Sequence, residues 1–173
     1  PKQGAAARYE VQERVGESTL FVVYRVRDKQ SGSVHALKAL KGAFNRHPGF
    51  ASTLKDAALR VQTLSHPNLA RMDEVDEEEG TLFLVTEWLP GQTLESRLRR
   101  APFGRTEVTL CMRQIAAGLQ ALHENNLAHG DLRPRQIGAA ADGTLKITDI
   151  GFYGAFAQAG LAPMDVLEDA VYY

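Results

Sequence analysis

The spacing of apolar side chains changes along this chain from strand-like to helix-like and back. That change limits the fold to a small sheet carrying one helix, followed by a mainly helical part. Tyr9 to Val15 and Leu20 to Arg27 alternate apolar and polar residues around the turn Gly16-Glu17-Ser18-Thr19, and Gln30-Ser31-Gly32-Ser33 separates the second run from Val34 to Leu40. This pattern predicts three antiparallel strands in a meander. Phe50, Leu54, Ala57, Ala58, Val61 and Leu64 then recur every three or four residues, the stripe of an amphipathic helix that His66-Pro67-Asn68 should end. Two further strands, Leu69 to Val75 and Leu82 to Glu87, flank the acidic turn Asp76 to Gly80.

Trp88-Leu89-Pro90-Gly91 is a breaker segment and reads as a hinge. Beyond it, Thr93 is placed to cap a short helix running through Arg100, and Thr106 to Glu124 carries Val108, Cys111, Ile115, Leu119 and Leu122 as the stripe of a long helix. A hairpin of Gln136 to Ala139 with Thr144 to Ile147 follows, whereas Phe152 to Tyr173 has little periodicity. The expected division is 1–87 as a sheet lobe, 88–91 as a hinge and 92–173 as a partial helical lobe, an α+β fold.

Composition narrows the function classes. A chain of 173 residues, 44% hydrophobic and with net charge -1, carries neither the basic footprint of a nucleic-acid binder nor a polybasic membrane patch. Partners should be proteins or small ligands. The single Cys111 lies among Leu110, Met112 and Ile115 and reads as a buried structural thiol, and the lack of any disulfide framework fits a reducing, cytoplasmic setting. No apolar run approaches the roughly 20 residues needed to span a bilayer, and no signal peptide is visible. Opening on Pro1 without a Met, the chain reads as a piece of something longer.

The residues that carry chemistry are Lys38, set between apolar Leu37 and Ala39 in His35-Ala36-Leu37-Lys38, the loop His129-Gly130-Asp131-Leu132-Arg133-Pro134-Arg135-Gln136, and Asp149-Ile150-Gly151 behind a short apolar strand. In this order and spacing they resemble the strand lysine, catalytic loop and metal-binding loop of eukaryotic-type (Hanks-type) Ser/Thr protein kinases. The resemblance covers essentially the whole chain and implies a two-lobed kinase fold with a five-stranded antiparallel N-lobe and a truncated C-lobe. It implies that Lys38 holds ATP phosphates, that Asp131 accepts the substrate hydroxyl's proton with Arg133 near the moving phosphoryl group, and that Asp149 and Gln136 hold magnesium. It also implies a purine slot formed by Val15, Gly16, Val23, Ala36, Lys38, Thr86 and main-chain groups of Glu87 and Leu89, and a packed column of Val61, Met72, Ile150 and His129 joining the lobes.

Several positions depart from the family pattern. Only Gly16 remains of three loop glycines, Phe21 standing where the third would be, and side chains there obstruct the close backbone approach that phosphate binding needs. Phe21 could fold over the phosphate site or extend the strand. Glu17 beside a triphosphate would repel it unless it turns outward. Ala57 falls where the family places the helix glutamate that pairs with the lysine; Asp56 is about 100° around the helix and shorter. Lys38 is then left to pair with Asp149. Gln136 replaces an asparagine, and its extra methylene misplaces the oxygen for octahedral magnesium. Arg133 replaces a lysine and could pair with Asp131. Gly138 replaces the large apolar floor under adenine, losing dispersion contact there. Gly130 replaces the arginine that grips a phosphorylated segment, and 149–173 contain no Ser or Thr, leaving Tyr153, Tyr172 and Tyr173.

The expectation is therefore a pseudokinase: a kinase fold in which ATP and magnesium bind weakly or not at all, acting through a protein partner or self-association via its truncated C-lobe. The alternative is an active, slow Ser/Thr kinase. A third reading is an interaction module with a filled pocket, which an apolar side chain in the adenine site would favour. The chain stops before the family's Ala-Pro-Glu and further helices, as a trimmed piece would, or as a minimal lobe covering its long helix with a partner or second copy. The alanine- and arginine-rich composition suggests a bacterial member.

Overall fold

In the computed structural model, residues 5–47 and 49–158 are described. The elements run α1 (Ala5–Arg8), β1 (Tyr9–Glu17), β2 (Phe21–Asp28), β3 (Val34–Leu40), α2 (Gly42–Asn45), α3 (Phe50–Gln62), β4 (Met72–Glu78) and β5 (Thr81–Glu87). They continue through α4 (Leu94–Arg100), α5 (Arg105–Glu124), a 3-10 turn (Pro134–Gln136), β6 (Ile137–Ala139), β7 (Leu145–Ile147) and α6 (Phe152–Gln158).

The first five strands make one antiparallel sheet in the order β1-β2-β3-β5-β4, and β6 and β7 pair as a separate hairpin. The expected meander is present, with Val23 opposite Lys38 and Ala36 opposite Thr86. The turn after β2 is organised by Asp28, whose Oδ1 accepts from the backbone N–H groups of Gln30 at 2.8 Å and Ser31 at 3.2 Å while Oδ2 accepts from Arg8. Thr93 caps α4 as its type and place suggest, its Oγ1 accepting from Ser96 N at 3.2 Å.

α3 buries Phe50, Leu54, Ala58 and Val61 against the sheet. Burying one such large side chain contributes about 1.5–3 kcal/mol. The same apolar cluster continues through Met72, Leu82 and Leu84 into Ile115 and Leu122 of α5, Ile137, Ile147 and Ile150, and Phe152, Ala155 and Phe156 of α6. A single core therefore runs through both lobes. A smaller cluster of Tyr9, Val26, Phe83 and Val85 lies apart from it.

Five details differ from the sequence reading. β4 starts at Met72 and not Leu69, because Leu69 bridges Ile147 and Ala70 N donates to Ile147 O, so these residues pair with the lower hairpin. The acidic turn shrinks to Glu79-Gly80, both at positive φ (50° and 72°), the geometry a tight hairpin with right-handed strand twist requires. Cys111 is half-buried; burial first and Glu107 second raise its thiol above the ordinary value. Val108 is 44% exposed although it belongs to the expected stripe of α5, and Leu110 and Met112 are also exposed. The aperiodic stretch after Asp149 begins with α6. Tyr172 and Tyr173 lie outside the described residues.

Candidate active site

The cleft between the sheet and the lower hairpin collects the chemistry. β3 delivers Lys38 from below the sheet with its side chain buried, and Nζ donates to Asp149 Oδ1 across the cleft. Asp149 follows β7 with φ 57°, a left-handed conformation that a non-glycine residue adopts at a cost of about 1 kcal/mol or more. Thr148, just before it, is tied to the catalytic loop by its N–H donating to Gln136 O at 2.8 Å.

No carboxylate from α3 competes for the lysine. Ala57 lies on the face of α3 turned toward the Asp149 loop, since a Cβ built on Gly151 would meet the Ala57 Cβ at 3.8 Å. Asp56 is exposed. The sequence-derived expectation that Lys38 turns to Asp149 thus matches the geometry, and the cause is the missing acid on the inner helix face.

The catalytic loop is self-paired. Arg133 Nε donates to Asp131 Oδ1 at 2.7 Å, and the backbone N–H of Arg133 donates to Gln136 Oε1 at 2.9 Å. The Gln136 side chain thus caps its own 3-10 turn. Beneath the loop His129 is buried with Nε2 donating to Thr148 O at 2.9 Å, which leaves Nδ1 to accept a long contact of 3.4 Å from Asp131 N. A histidine held this way orients the loop and has no free nitrogen for acid–base work. Val61, Met72 and Ile150 share the core cluster above it.

The glycine turn is closed on itself. Ser18 N donates to Phe21 O at 2.8 Å, Phe21 N to Ser18 Oγ at 3.2 Å, and Lys41 N to Leu20 O at 2.8 Å. An amide already hydrogen-bonded in the turn is not available to a phosphate oxygen. Glu17 does turn outward, pairing with Arg14 at 2.7 Å and Lys41 at 3.7 Å. Phe21 both starts β2 and folds inward: it is 2% exposed, and its ring packs on Phe152 of α6. Phe156 packs in turn on Phe44 and Phe50. This aromatic contact was missed in the sequence, where Phe152, Ala155 and Phe156 at spacings of three and four were its only signal.

The residues of the expected purine slot differ in burial. Ala36 and Thr86 are buried, Val23 and Leu89 half-buried, and Val15 and Gly16 exposed at the rim. The Glu87 carboxylate accepts from Lys146 Nζ and from Arg71 N, both at 2.7 Å, which fastens the end of β5 to β7. The residues that would hold magnesium each carry a protein partner in this structure. Asp149 is engaged by Lys38, Asp131 by Arg133 and the Gln136 oxygen by a backbone N–H. Among the described residues, no three His, Cys, Asp or Glu side chains are grouped to hold a metal ion.

The family model of the protein kinase domain matches residues 9–172. This chain belongs to the protein kinase family. It is 26% identical over 170 residues to the probable serine/threonine-protein kinase PknB of Lactococcus lactis, covering 97% of this chain and 27% of that protein. It is 33% identical over 176 residues to mouse cyclin-dependent kinase 4, covering 94% of this chain and 58% of that one. The solved kinase domain of PknI from Mycobacterium tuberculosis superposes with a TM-score of 0.76 at 21% identity, over 90% of this chain and 66% of the other, which establishes the shared fold. The chain spans about a quarter of the length of the bacterial relatives it matches, 27% and 24% for two of them. As a kinase domain with Ser/Thr kinase relatives, it has the fold expected for ATP chemistry. No helix among the described residues is long and apolar enough to cross a membrane.

Proposed function

We propose that this kinase domain works as a pseudokinase, a regulatory or protein-interaction module of Ser/Thr kinase ancestry with an impaired phosphate and metal site. The observation that carries the reading is the direct Lys38–Asp149 pair. Phosphoryl transfer needs the lysine on the phosphates and the aspartate on magnesium, and catalysis there is mostly positioning and electrostatics. Two groups that neutralise each other serve neither role until something separates them. The second self-pair, Arg133 with Asp131, ties up the residue in the place of the catalytic base.

In this reading residues 1–87, 88–91 and 92–173 serve as N-lobe, hinge and partial C-lobe. The purine slot of Val15, Gly16, Val23, Ala36, Thr86, Glu87 and Leu89 keeps weak affinity for the base of ATP. The output is contact with a protein partner or a second copy through the C-lobe, in the cytoplasm. The bacterial relatives support a bacterial origin.

An active but slow Ser/Thr kinase is the second reading, favoured by the retention of Lys38, Asp131 and Asp149 in one cleft. The deciding experiment is thermal shift with ATP, with and without magnesium, on the native chain, Lys38→Met and Asp149→Asn, beside a radiolabelled phosphotransfer assay. The pseudokinase reading expects no magnesium-dependent shift and no transfer. Robust transfer abolished by Asp131→Asn would replace it with the slow kinase.

A further inference from the structure

The C-terminal ends of α3 and α5 meet at a cleft. Leu59, Arg60, Thr63 and Leu64 from the end of α3 stand against Asn125 and Leu127 of the turn after α5, and these six residues line a space of about 300 Å³. That volume is at the lower end of the range that small ligands occupy. Much of the lining is aliphatic: Leu64 and Leu127 are half-buried, and Leu59 is 42% exposed although Ala58 and Val61 beside it are buried.

Helix C-termini carry partial negative charge and by themselves favour a cation. Here their carbonyl oxygens are met from within the fold. Arg60 O accepts from Thr63 N at 3.3 Å and from Thr63 Oγ1 at 2.8 Å, Val61 O from Leu64 N at 2.9 Å, Leu122 O from Leu127 N at 2.9 Å and His123 O from Asn126 N at 3.0 Å. Ala121 O accepts from Asn125 Nδ2 at 2.8 Å, which occupies the amide of the lining asparagine. The Arg60 guanidinium makes one hydrogen bond, from Nη2 to Asn126 O at 3.2 Å, and among the described residues no carboxylate pairs with it. A guanidinium presents a planar fork of N–H donors that matches a carboxylate. The unmet capacity of the cleft is thus a cationic fork at the edge of an aliphatic trough.

We propose that this cleft binds a medium-chain alkyl carboxylate, its chain on Leu59, Leu64 and Leu127 and its carboxylate on the Arg60 guanidinium. Charge decides against an alkylammonium of the same length, because the helix-end oxygens that would attract it are engaged and Arg60 repels it. A bound carboxylate touches α3 of the sheet lobe and the end of α5 together, adding to the Arg60–Asn126 bond that already joins them. The proposal goes beyond the pseudokinase reading and does not depend on it, since none of the six lining residues belongs to the Lys38–Asp149 pair or to the purine slot.

The test is calorimetric titration of the full chain with octanoate below its micellar concentration, beside hexanoate and octylamine. Octanoate is expected to bind saturably and about fifteenfold more tightly than hexanoate, the worth of two buried methylenes. Octylamine, of equal chain length and opposite charge, is expected to bind about tenfold more weakly than octanoate, the loss of a charge-assisted hydrogen bond. Arg60→Gln should abolish the preference for octanoate over octylamine. Leu59→Ala, at an exposed position where the fold tolerates the change, should weaken octanoate about tenfold through lost apolar contact. Octylamine binding as tightly as octanoate would overturn the proposal, as would octanoate binding unchanged in both variants or no saturable binding by the native chain. None of these results bears on the pseudokinase reading, which the ATP shift and phosphotransfer assays judge.

Discussion

The ring of Phe21 stands 5.1 Å from that of Phe152 at an angle of 50°, so the strand leaving the glycine turn and the helix following Asp149 share a packed aromatic contact. Both rings are buried, and the contact opens onto the larger group of Phe44, Phe50 and Phe156. A residue that in a working phosphate loop would be hydrogen alone is here part of the core. The closed turn and the packed α6 are consequences of one substitution-sensitive position.

Phe21→Gly should therefore cost stability instead of restoring a phosphate loop. Removing a buried phenyl ring costs about 3–5 kcal/mol, and Phe21→Leu about 1 kcal/mol. Urea denaturation monitored by the single Trp88 would measure both. An unchanged midpoint for Phe21→Gly would mean that the ring is not part of the core.

Ala57→Glu tests the cause assigned to the Lys38–Asp149 pair. The Ala57 side chain lies 3.8 Å from a Cβ position on Gly151, so a carboxylate grown from it enters the Asp149 loop on the lysine's side of the cleft. The expected outcome is competition for Lys38, release of Asp149, and a magnesium-dependent ATP shift larger than that of the native chain in the thermal assay. Ala57→Gln, equal in size and uncharged, should not produce it. An identical response from both variants would locate the defect elsewhere.

Acid should act partly through Asp28. The backbone N–H of Gln30 first, and the Arg8 guanidinium against the opposing effect of burial, hold its carboxyl below the ordinary value of 3.8. A depressed folded-state pKa contributes stability that is complete above the unfolded value and is lost as pH falls through the folded one. Asp28→Asn is expected to be less stable than the native chain by about 1 kcal/mol near neutral pH, the worth of a charge-assisted hydrogen bond at a partly exposed arginine. The difference should shrink below about pH 4 as the native carboxylate takes its proton. Chemical denaturation across pH 2.5–7, a range chosen to bracket about pH 4, would read the convergence; parallel curves would exclude the effect.

Much of the architecture was legible because period and breakers agree: strand alternation before Leu40, a helical stripe from Phe50, and Pro67 between helix and strand. The ends of β4 were not legible. Leu69 and Ala70 look like strand residues and are extended, but they pair with Ile147 of the other lobe, which local pattern does not encode. In the site, the pairing of Lys38 with Asp149 followed from the family resemblance, which puts Ala57 where the lysine's helix carboxylate would stand and leaves Asp149 as its partner. The Gln136 cap on Arg133 N did not follow, because it depends on where a flexible amide points after the loop has formed. The Phe21–Phe152 contact joins residues distant in sequence across the cleft and was equally out of reach.

Gly118 separates local propensity from packing. It sits inside α5, where alanine is favoured over glycine by about 1 kcal/mol, so the sequence alone predicts that Gly118→Ala stabilises the chain. The structure predicts the opposite. A Cβ at this position would stand 2.8 Å from Asn68 O, 3.0 Å from Ile147 Cδ1 and 3.3 Å from Leu69 Cδ2. Two of these neighbours are side-chain ends that can yield, but Asn68 O is backbone and already accepts from Ile147 N at 2.9 Å, and the Asn68 side chain is anchored to Leu145 O and Gln114. Relief must come by moving α5 away from β7, which loosens Ile115 and Leu122 in the shared core. Overpacking of this kind costs about 1–3 kcal/mol, enough to overcome the propensity gain. Gly118→Ala should therefore melt at a lower temperature than the native chain. A higher melting temperature would mean that α5 is not seated on Asn68 as described.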